Sequence, residues 1–553
     1  MPSCYTQQFA SRVDSGDAPE SNRPPKRPAR EERILMMLMR LICLFFVCFY
    51  LFAGDESALA KDAERSPNVV LIMCDDMGWS DIGCYGGEVD TPNLNQLAAE
   101  GMRFTQFYNN AKCTTTRASI VTGLYPRRDK GGLLRTNMVT IGEAMKLAGY
   151  STALSGKWHL GSQKEAHPYH RGFDEFYGLL DGCCNFFDPS MPDPPYKGGK
   201  VRKFGERDQL ITSFPENFYT TDAFTDHAVE CVQKFAKSDS PFLLHVTYTA
   251  PHYPLHAKPE DIAKYRGKYK AMGGWLKMRE QRWQRIQDMG LATDSWQLSE
   301  EDKRSYDWET ANHDHEDLRM SVYAAMIDSM DQNIGRLRTA LEQAGVADNT
   351  LILFLSDNGG CAEEPGGRGP EIIPGPKDHY AAVGPAWGWA QNTPFKKHKS
   401  HSCEGGILTP CIAWWPGRVP AGEITRQPAH IIDIMPTLLE LAGGEYPTTY
   451  EGHDILPVEG KSMLPILLGE HREPHAQLAW EWAGNRALRE GDWKVVWQKD
   501  VKEWELYNLG EDRCETTNLA ASHPELTRRL SEAWIAWAER TGLNTQTKRK
   551  KAS

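Results

Sequence analysis

Four short runs made mostly of apolar or β-branched residues constrain this chain most: residues 68–73 (NVVLIM), 151–154, 242–247 (FLLHVT) and 351–355 (LILFL). A strand with no polar face must be covered on both sides, as in a parallel sheet sandwiched by helices. Between these runs, residues 93–100, 141–147, 221–235 and 318–344 carry apolar side chains three and four positions apart, the spacing of one helix face. The alternation predicts an α/β fold with a large, mostly parallel sheet flanked by helices. Charged and polar residues follow each run directly: Asp75 and Asp76, then Lys157 and His159, then His252, then Asp357 and Asn358. Open α/β sheets bind ligands beyond the carboxyl ends of their strands, so one rim is expected to gather all of them.

After a helical stretch at 431–441 the pattern changes. Short strand-like segments at 478–482, 487–488, 493–497 and 503–509 precede a helical pattern over 524–538. This reads as a smaller antiparallel sheet plus helix, giving a main domain over 61–470, an α+β subdomain over 471–541 and a basic tail over 542–553. Residues 1–60 run from a Pro- and Arg-rich stretch through an apolar run at 41–53 to the small residues Ser57-Ala58-Leu59-Ala60, the order of a cleavable export signal. An uncleaved anchor is the alternative, but 13 apolar residues are short for a span needing about 20. A secreted or periplasmic protein, with no stable membrane span once the signal is removed, is expected.

The chain carries a formal net charge of -11, and residues 1–60 hold equal numbers of acids and bases, so the remainder is acidic and nucleic acid is not an expected partner. Ten of the 13 cysteines lie beyond residue 60, too few in a chain this long for a disulfide-built scaffold.

Asp75-Asp76-Met77-Gly78 and Asp357-Asn358-Gly359-Gly360 place carboxylate and amide oxygens on two turns, the ligand chemistry of a hard cation such as Ca²⁺. Capping or solvation is the plainer reading of either turn alone. Cys113-Thr114-Thr115-Thr116-Arg117-Ala118-Ser119-Ile120-Val121-Thr122-Gly123 is the most specific segment. Read by itself, it could be a thiol at a helix N-terminus, inclined to thiolate by backbone N–H groups and Arg117.

With that spacing of Cys, Arg and Thr-Gly, the segment resembles the signature of type I (formylglycine-dependent) sulfatases, of the alkaline phosphatase superfamily, although Thr115 stands where the family usually has Pro or Ala. Four further elements are similar to that family in the same order. They are Gly156-Lys157-Trp158-His159-Leu160-Gly161, Ala250-Pro251-His252-Tyr253-Pro254, Lys399 ahead of Glu404-Gly405-Gly406, and the tail Trp504-Glu505-Leu506-Tyr507-Asn508-Leu509. Lys396, Lys397 and His401 compete with Lys399, which the spacing selects.

The resemblance implies a sulfuric ester hydrolase of arylsulfatase type, acting on sulfated carbohydrates or aryl sulfates. It implies Ca²⁺ held by Asp75, Asp76, Asp357 and Asn358, with formylglycine (3-oxoalanine) made from Cys113 near or on the metal. A formylglycine-generating enzyme would be the maturation partner. By the same resemblance, Arg117 and Lys157 hold the aldehyde hydrate, His159 assists its proton transfers, and His252 and Lys399 contact the sulfate. Two alternatives stay open: a phosphoester or phosphonate hydrolase of the same fold, and a non-catalytic calcium-bound protein that binds sulfated glycans. The segment 181–185, the loop 189–195 and the Trp-rich insertion 275–308 are candidates for the pocket mouth. Trp275, Trp283 and Trp296 would either stack on sugar rings or anchor a helix to the core.

Overall fold

The computed structural model describes residues 66–126 and 133–543, and Met39 by itself. The export signal and the basic tail expected from the sequence lie outside the described residues, as far as 1–65 and 544–553 are concerned. From Ser66 onward the chain forms one compact unit.

Its centre is an eleven-stranded mixed sheet. In chain order the strands are β1 (Asn68–Cys74), β2 (Met102–Tyr108), β3 (Ser151–Gly156), β4 (Glu175–Leu179), β5 (Phe204–Glu206), β6 (Gln209–Ile211), β7 (Phe242–Thr247), β8 (Thr350–Ser356), β9 (Leu408–Trp414), β10 (Glu423–Thr425) and β11 (Ala429–His430). Across the sheet the order is β10-β2-β9-β8-β1-β7-β3-β4-β5-β6, with β11 also on β2. The five strands β8-β1-β7-β3-β4 pair in parallel, whereas β9 is antiparallel to both β8 and β2.

Burial explains the central strands. In β1, Val70, Ile72 and Cys74 enter the core on one face of the sheet and Val69, Leu71 and Met73 the core on the other. In β8, Ile352 and Phe354 oppose Leu351, Leu353 and Leu355 in the same way. The first core is covered by the helices Pro92–Glu100, Thr220–Phe235 and His313–Gln343. The second is covered by Cys113–Thr122, Ile141–Leu147 and Ile434–Leu441. Two sheet faces buried under helices make strand alternation uninformative and long apolar runs necessary.

A two-stranded ribbon, β12 (Thr449–Tyr450) with β13 (His453–Asp454), precedes a four-stranded antiparallel sheet. Its strands are β14 (Leu478–Trp482), β15 (Asn485–Glu490), β16 (Trp493–Trp497) and β17 (Trp504–Asn508), and the helix Pro524–Arg540 packs on it. A buried ionic cluster ties this sheet to the larger one: Lys494 of β16 bridges Glu404 and Glu515, and Arg513 and Tyr108 also hold Glu404. Glu404 of the Glu-Gly-Gly motif is therefore a joint between the two sheets. Among the described residues no helix is long and apolar enough to cross a membrane.

Candidate active site

Because β8, β1, β7 and β3 are parallel neighbours, their carboxyl ends open on one edge. Asp75 and Asp76 leave β1, Asp357 and Asn358 leave β8, Lys157 follows β3, and His252 lies five residues beyond β7. Cys113 opens the helix Cys113–Thr122, and Arg117 lies one turn further along it.

The side chains interlock and are almost wholly buried. Lys157 Nζ donates to Asp75 Oδ2 at 2.5 Å and Lys399 Nζ lies 2.6 Å from the Asp76 carboxylate. Arg117 spans the group, donating from Nη1 to the Lys157 carbonyl at 2.7 Å and from Nη2 to Asp357 Oδ2 at 2.9 Å. Asn358 Nδ2 donates to Asp76 Oδ1 at 2.7 Å, and His252 Nε2 stands 3.4 Å from Asp76 Oδ2. Asp75, Cys113 and Asp357 present ligand atoms within 4.8 Å of one another, as do Asp75, Asp76 and His252. Nine of the ten expected residues thus belong to one constellation. The tenth, His159, makes no hydrogen bond from its buried Nδ1, and it adjoins the constellation through the positive field of Lys157 and Arg117.

Electrostatics follow from the burial. Burial, then the carboxylate of Asp75, pushes Asp357 upward against the pull of Arg117 and Lys157. Burial acts the same way on Asp76, but Lys399 and then His252 outweigh it and hold that group below the carboxylate range. Burial and Lys399 bring His252 down to about 3 against the pull of Asp76. Its Nδ1 lies 2.5 Å from the Tyr253 carbonyl, which can only accept, so Nδ1 carries the hydrogen and Nε2 faces the site. Burial also pushes the Cys113 thiol up despite Lys157 and Lys399, with Asp357 and Asp75 adding to the rise. Two carboxylates beside a desolvated sulfur oppose the thiolate that the helix N-terminus and Arg117 would promote.

The donor set suits a hard cation. Asp75 Oδ1 and Asn358 Oδ1 are buried and accept no hydrogen bond, in a cluster of three carboxylates. Orphaned buried oxygens of this kind are costly unless an ion or a donor reaches them.

Lys399 is also the lysine the spacing selects. Lys396 turns to the Tyr507 hydroxyl and Lys397 to Asp302, while Lys399 enters the site. Glycines 405 and 406 let its loop close down: a Cβ at Gly405 would lie 2.5 Å from the Lys397 carbonyl oxygen, and one at Gly406 2.1 Å from that of His401. Thr115 donates its hydroxyl to the carbonyls of Asn110 and Lys112, fastening the turn before Cys113 to the helix.

The family description "Sulfatase" matches residues 67–444, and "N-sulphoglucosamine sulphohydrolase, C-terminal" matches 395–536. The chain belongs to the sulfatase family. An uncharacterised sulfatase of Schizosaccharomyces pombe is 32% identical over 550 residues, covering 88% of this chain and 96% of its own. The arylsulfatase of Klebsiella aerogenes is 33% identical over 459 residues, 76% and 96% of the two chains. Among solved structures, Ps i-CgsB in complex with k-i-k-neocarrahexaose superimposes with a TM-score of 0.64 at 27% identity, covering 87% of this chain and 94% of that one. The sulfatase described here is an enzyme that hydrolyses sulfate esters.

Around the site of this sulfatase stand residues that sequence reasoning did not single out. Lys112 Nζ meets Glu363 Oε1 at 2.8 Å, and the Tyr253 hydroxyl donates to Glu363 Oε2 at 2.7 Å. Lys112 and Tyr253 adjoin Cys113 and His252 in sequence, a signal that could have found them; Glu363 offers none. Of the segments expected at the mouth, 181–185 is there: a Cβ at Gly182 would lie 2.5 Å from the His159 ring. The tryptophans divide toward the core. Trp275 is fully buried with its ring edge-on to Tyr306, Trp308 and Trp387, and Trp296 packs on Phe395.

Proposed function

We propose that this sulfatase cleaves sulfate monoesters of sulfated carbohydrates or aryl sulfates with a formylglycine derived from Cys113 and a bound Ca²⁺. The observation that carries this reading is the burial of Cys113 against Asp75 and Asp357, beside two oxygen acceptors without hydrogen bonds. Asp75, Asp76, Asp357 and Asn358 would hold the ion, which supplies positive charge to polarise sulfate and nucleophile. A thiol is a soft ligand poorly matched to a hard ion, whereas formylglycine at position 113 supplies oxygen and, as its hydrate, a nucleophile.

This chain's own side chains do the rest. Arg117 and Lys157 fix the oxygens at position 113, and His159 moves a proton there. Lys399 holds a sulfate oxygen, and His252 delivers a proton from Nε2 to the leaving oxygen; an anion docked against that imidazole favours its protonated form. The carrageenan oligosaccharide named with Ps i-CgsB supports a saccharide substrate. Export through residues 1–60, maturation by a formylglycine-generating enzyme, a catalytic domain over 61–470 and a subdomain over 471–541 complete the proposal.

The test is the peptide mass at Cys113 after co-expression with a maturing enzyme, together with inorganic sulfate release from an aryl sulfate and a sulfated oligosaccharide, and phosphate release from the matched phosphate ester. A loss of about 18 Da with sulfate released is expected. Unmodified Cys113 in protein that releases sulfate would exclude the formylglycine route, and a higher kcat/KM on the phosphate ester would refute the substrate class.

A further inference from the structure

The cations at the mouth of the site are mostly spoken for. Lys112 is bound by Glu363, and Arg202 by the buried Asp193. Lys197 differs. Its ammonium lies 4.9 Å from the centre of the Tyr253 ring and 5.8 Å from that of Tyr380, and it donates to the Tyr253 hydroxyl at 3.3 Å. Among the described residues no carboxylate pairs with it. That hydroxyl in turn donates to Glu363, so its lone pairs are what Lys197 meets.

The lysine is held in place. It ends the short turn Pro195–Lys197, closed by Gly198 at φ 97°, and the same loop is pinned by the Arg202–Asp193 pair and by the Asp193 N–H on the Lys200 carbonyl at 2.9 Å. Tyr380 is fixed from behind by Cys183, whose sulfur is 3.2 Å from its hydroxyl. The Tyr253 and His252 rings are 4.1 Å apart, so one tyrosine neighbours both Lys197 and His252. A half-buried ammonium framed by two ring faces is partly stripped of water yet lacks an anion, which leaves it poised to take one from a ligand.

We infer that Lys197, framed by Tyr253 and Tyr380, binds a second negatively charged substituent of the saccharide, apart from the sulfate ester being cleaved. This rests on the sulfatase reading of the neighbouring site and adds to it a preference for polyanionic sugars over neutral carriers of a single sulfate. A carboxylate and a second sulfate share the chemistry Lys197 offers.

The experiment is calorimetric titration of the full-length, calcium-loaded chain carrying Cys113→Ala, so that no ester is turned over. Three probes are used: an O-sulfated uronate disaccharide, the same disaccharide as its uronate methyl ester, and a neutral-sugar disaccharide bearing two sulfates. The free acid or the disulfated sugar is expected to bind at least about tenfold more tightly than the methyl ester, and which of them does so tells carboxylate from sulfate. Adding Lys197→Gln should bring the affinities to within about twofold of one another, and Lys197→Arg should keep the preference. Equal affinities in the Cys113→Ala chain, or a Lys197→Gln variant that keeps the preference or weakens all three probes alike, would overturn the inference. If none of the probes binds, the sulfated-saccharide reading of the site fails and takes the inference with it.

Discussion

Replacing Lys494 by Met tests the joint between the two sheets. Its ammonium, fully buried, lies 2.6 Å from Glu404 Oε1 and 2.8 Å from Glu515 Oε1. Glu404 would keep Arg513 and the Tyr108 hydroxyl, while Glu515 would keep the backbone N–H of Glu404 at 2.8 Å. Removing one partner of a buried ion pair costs about 3–5 kcal/mol, because the charge left behind has no water. Glu515 can escape by binding a proton. Burial already pushes it up, with the charge of Glu404 adding and Lys494 opposing, so losing Lys494 raises it further. Holding such a group ionised costs about 1.4 kcal/mol for each pH unit by which its folded pKa exceeds the one in the unfolded chain. A raised folded pKa means stability that is intact below the unfolded value, near 4.5, and lost as pH climbs through the folded one. The variant's deficit should therefore grow from pH 5 to pH 8. At roughly 1 °C per kcal/mol for a chain of this length, scanning calorimetry should read a Tm loss of about 3–5 °C at pH 8 and about half that or less at pH 5. Lys494→Met with Glu515→Gln should recover most of the loss. An equal deficit at the two pH values, or no recovery in the double variant, would refute the assignment of the penalty to Glu515.

Three further outcomes are expected. His252→Gln should lower kcat by about 10²–10⁴-fold, with the smallest loss on aryl sulfates whose leaving group needs no proton; an equal loss across leaving groups would remove His252 from proton delivery. Chelation of calcium should lower Tm and activity together, and excess Ca²⁺ at about a hundred times its Kd should restore about 2.7 kcal/mol of stability by calorimetry, whereas no Tm response would argue against an ion at Asp75 and Asn358. Trp275→Ala should cost about 3–5 kcal/mol while leaving the KM of the folded fraction for sulfated saccharides unchanged, since its ring lies in the core; a raised KM would return it to the binding surface.

Four of the five parallel strands were legible because they are buried on both faces, and the expected run at 242–247 coincides with β7, whereas β4, partly exposed at Glu175 and Tyr177, gave no such run. The strands flanking the parallel centre were not legible either. β2 mixes Arg103 and Gln106 into an apolar run, and its pairing with β9 shifts register between Phe104 and Phe107. β9 itself contains Pro410, which ordinarily argues against a strand with neighbours on both sides; here it falls opposite that irregularity. Propensity read residue by residue carries no knowledge of where a partner strand bulges.

The site divides along the same line between local and non-local information. Each residue of the central constellation stands at a strand end, opens a helix or belongs to a spaced motif, so position along the chain together with the family resemblance was enough to name it. Glu404 shows the limit of that logic: the motif that located Lys399 also contains a carboxylate, and only its contacts with Lys494 and Arg513 reveal that it joins two sheets and stays out of the site. The rim shows the limit from the other side. Lys197 comes from one loop and Glu363 and Tyr380 from another, the connection between β8 and the helix Pro385–Ala390, and neither loop's length sets a spacing; what gives Lys197 meaning is that Glu363 is already engaged by Lys112 and Tyr253. Which cation is free depends on every neighbouring carboxylate, and that is a property of the folded arrangement that no one segment of the chain encodes.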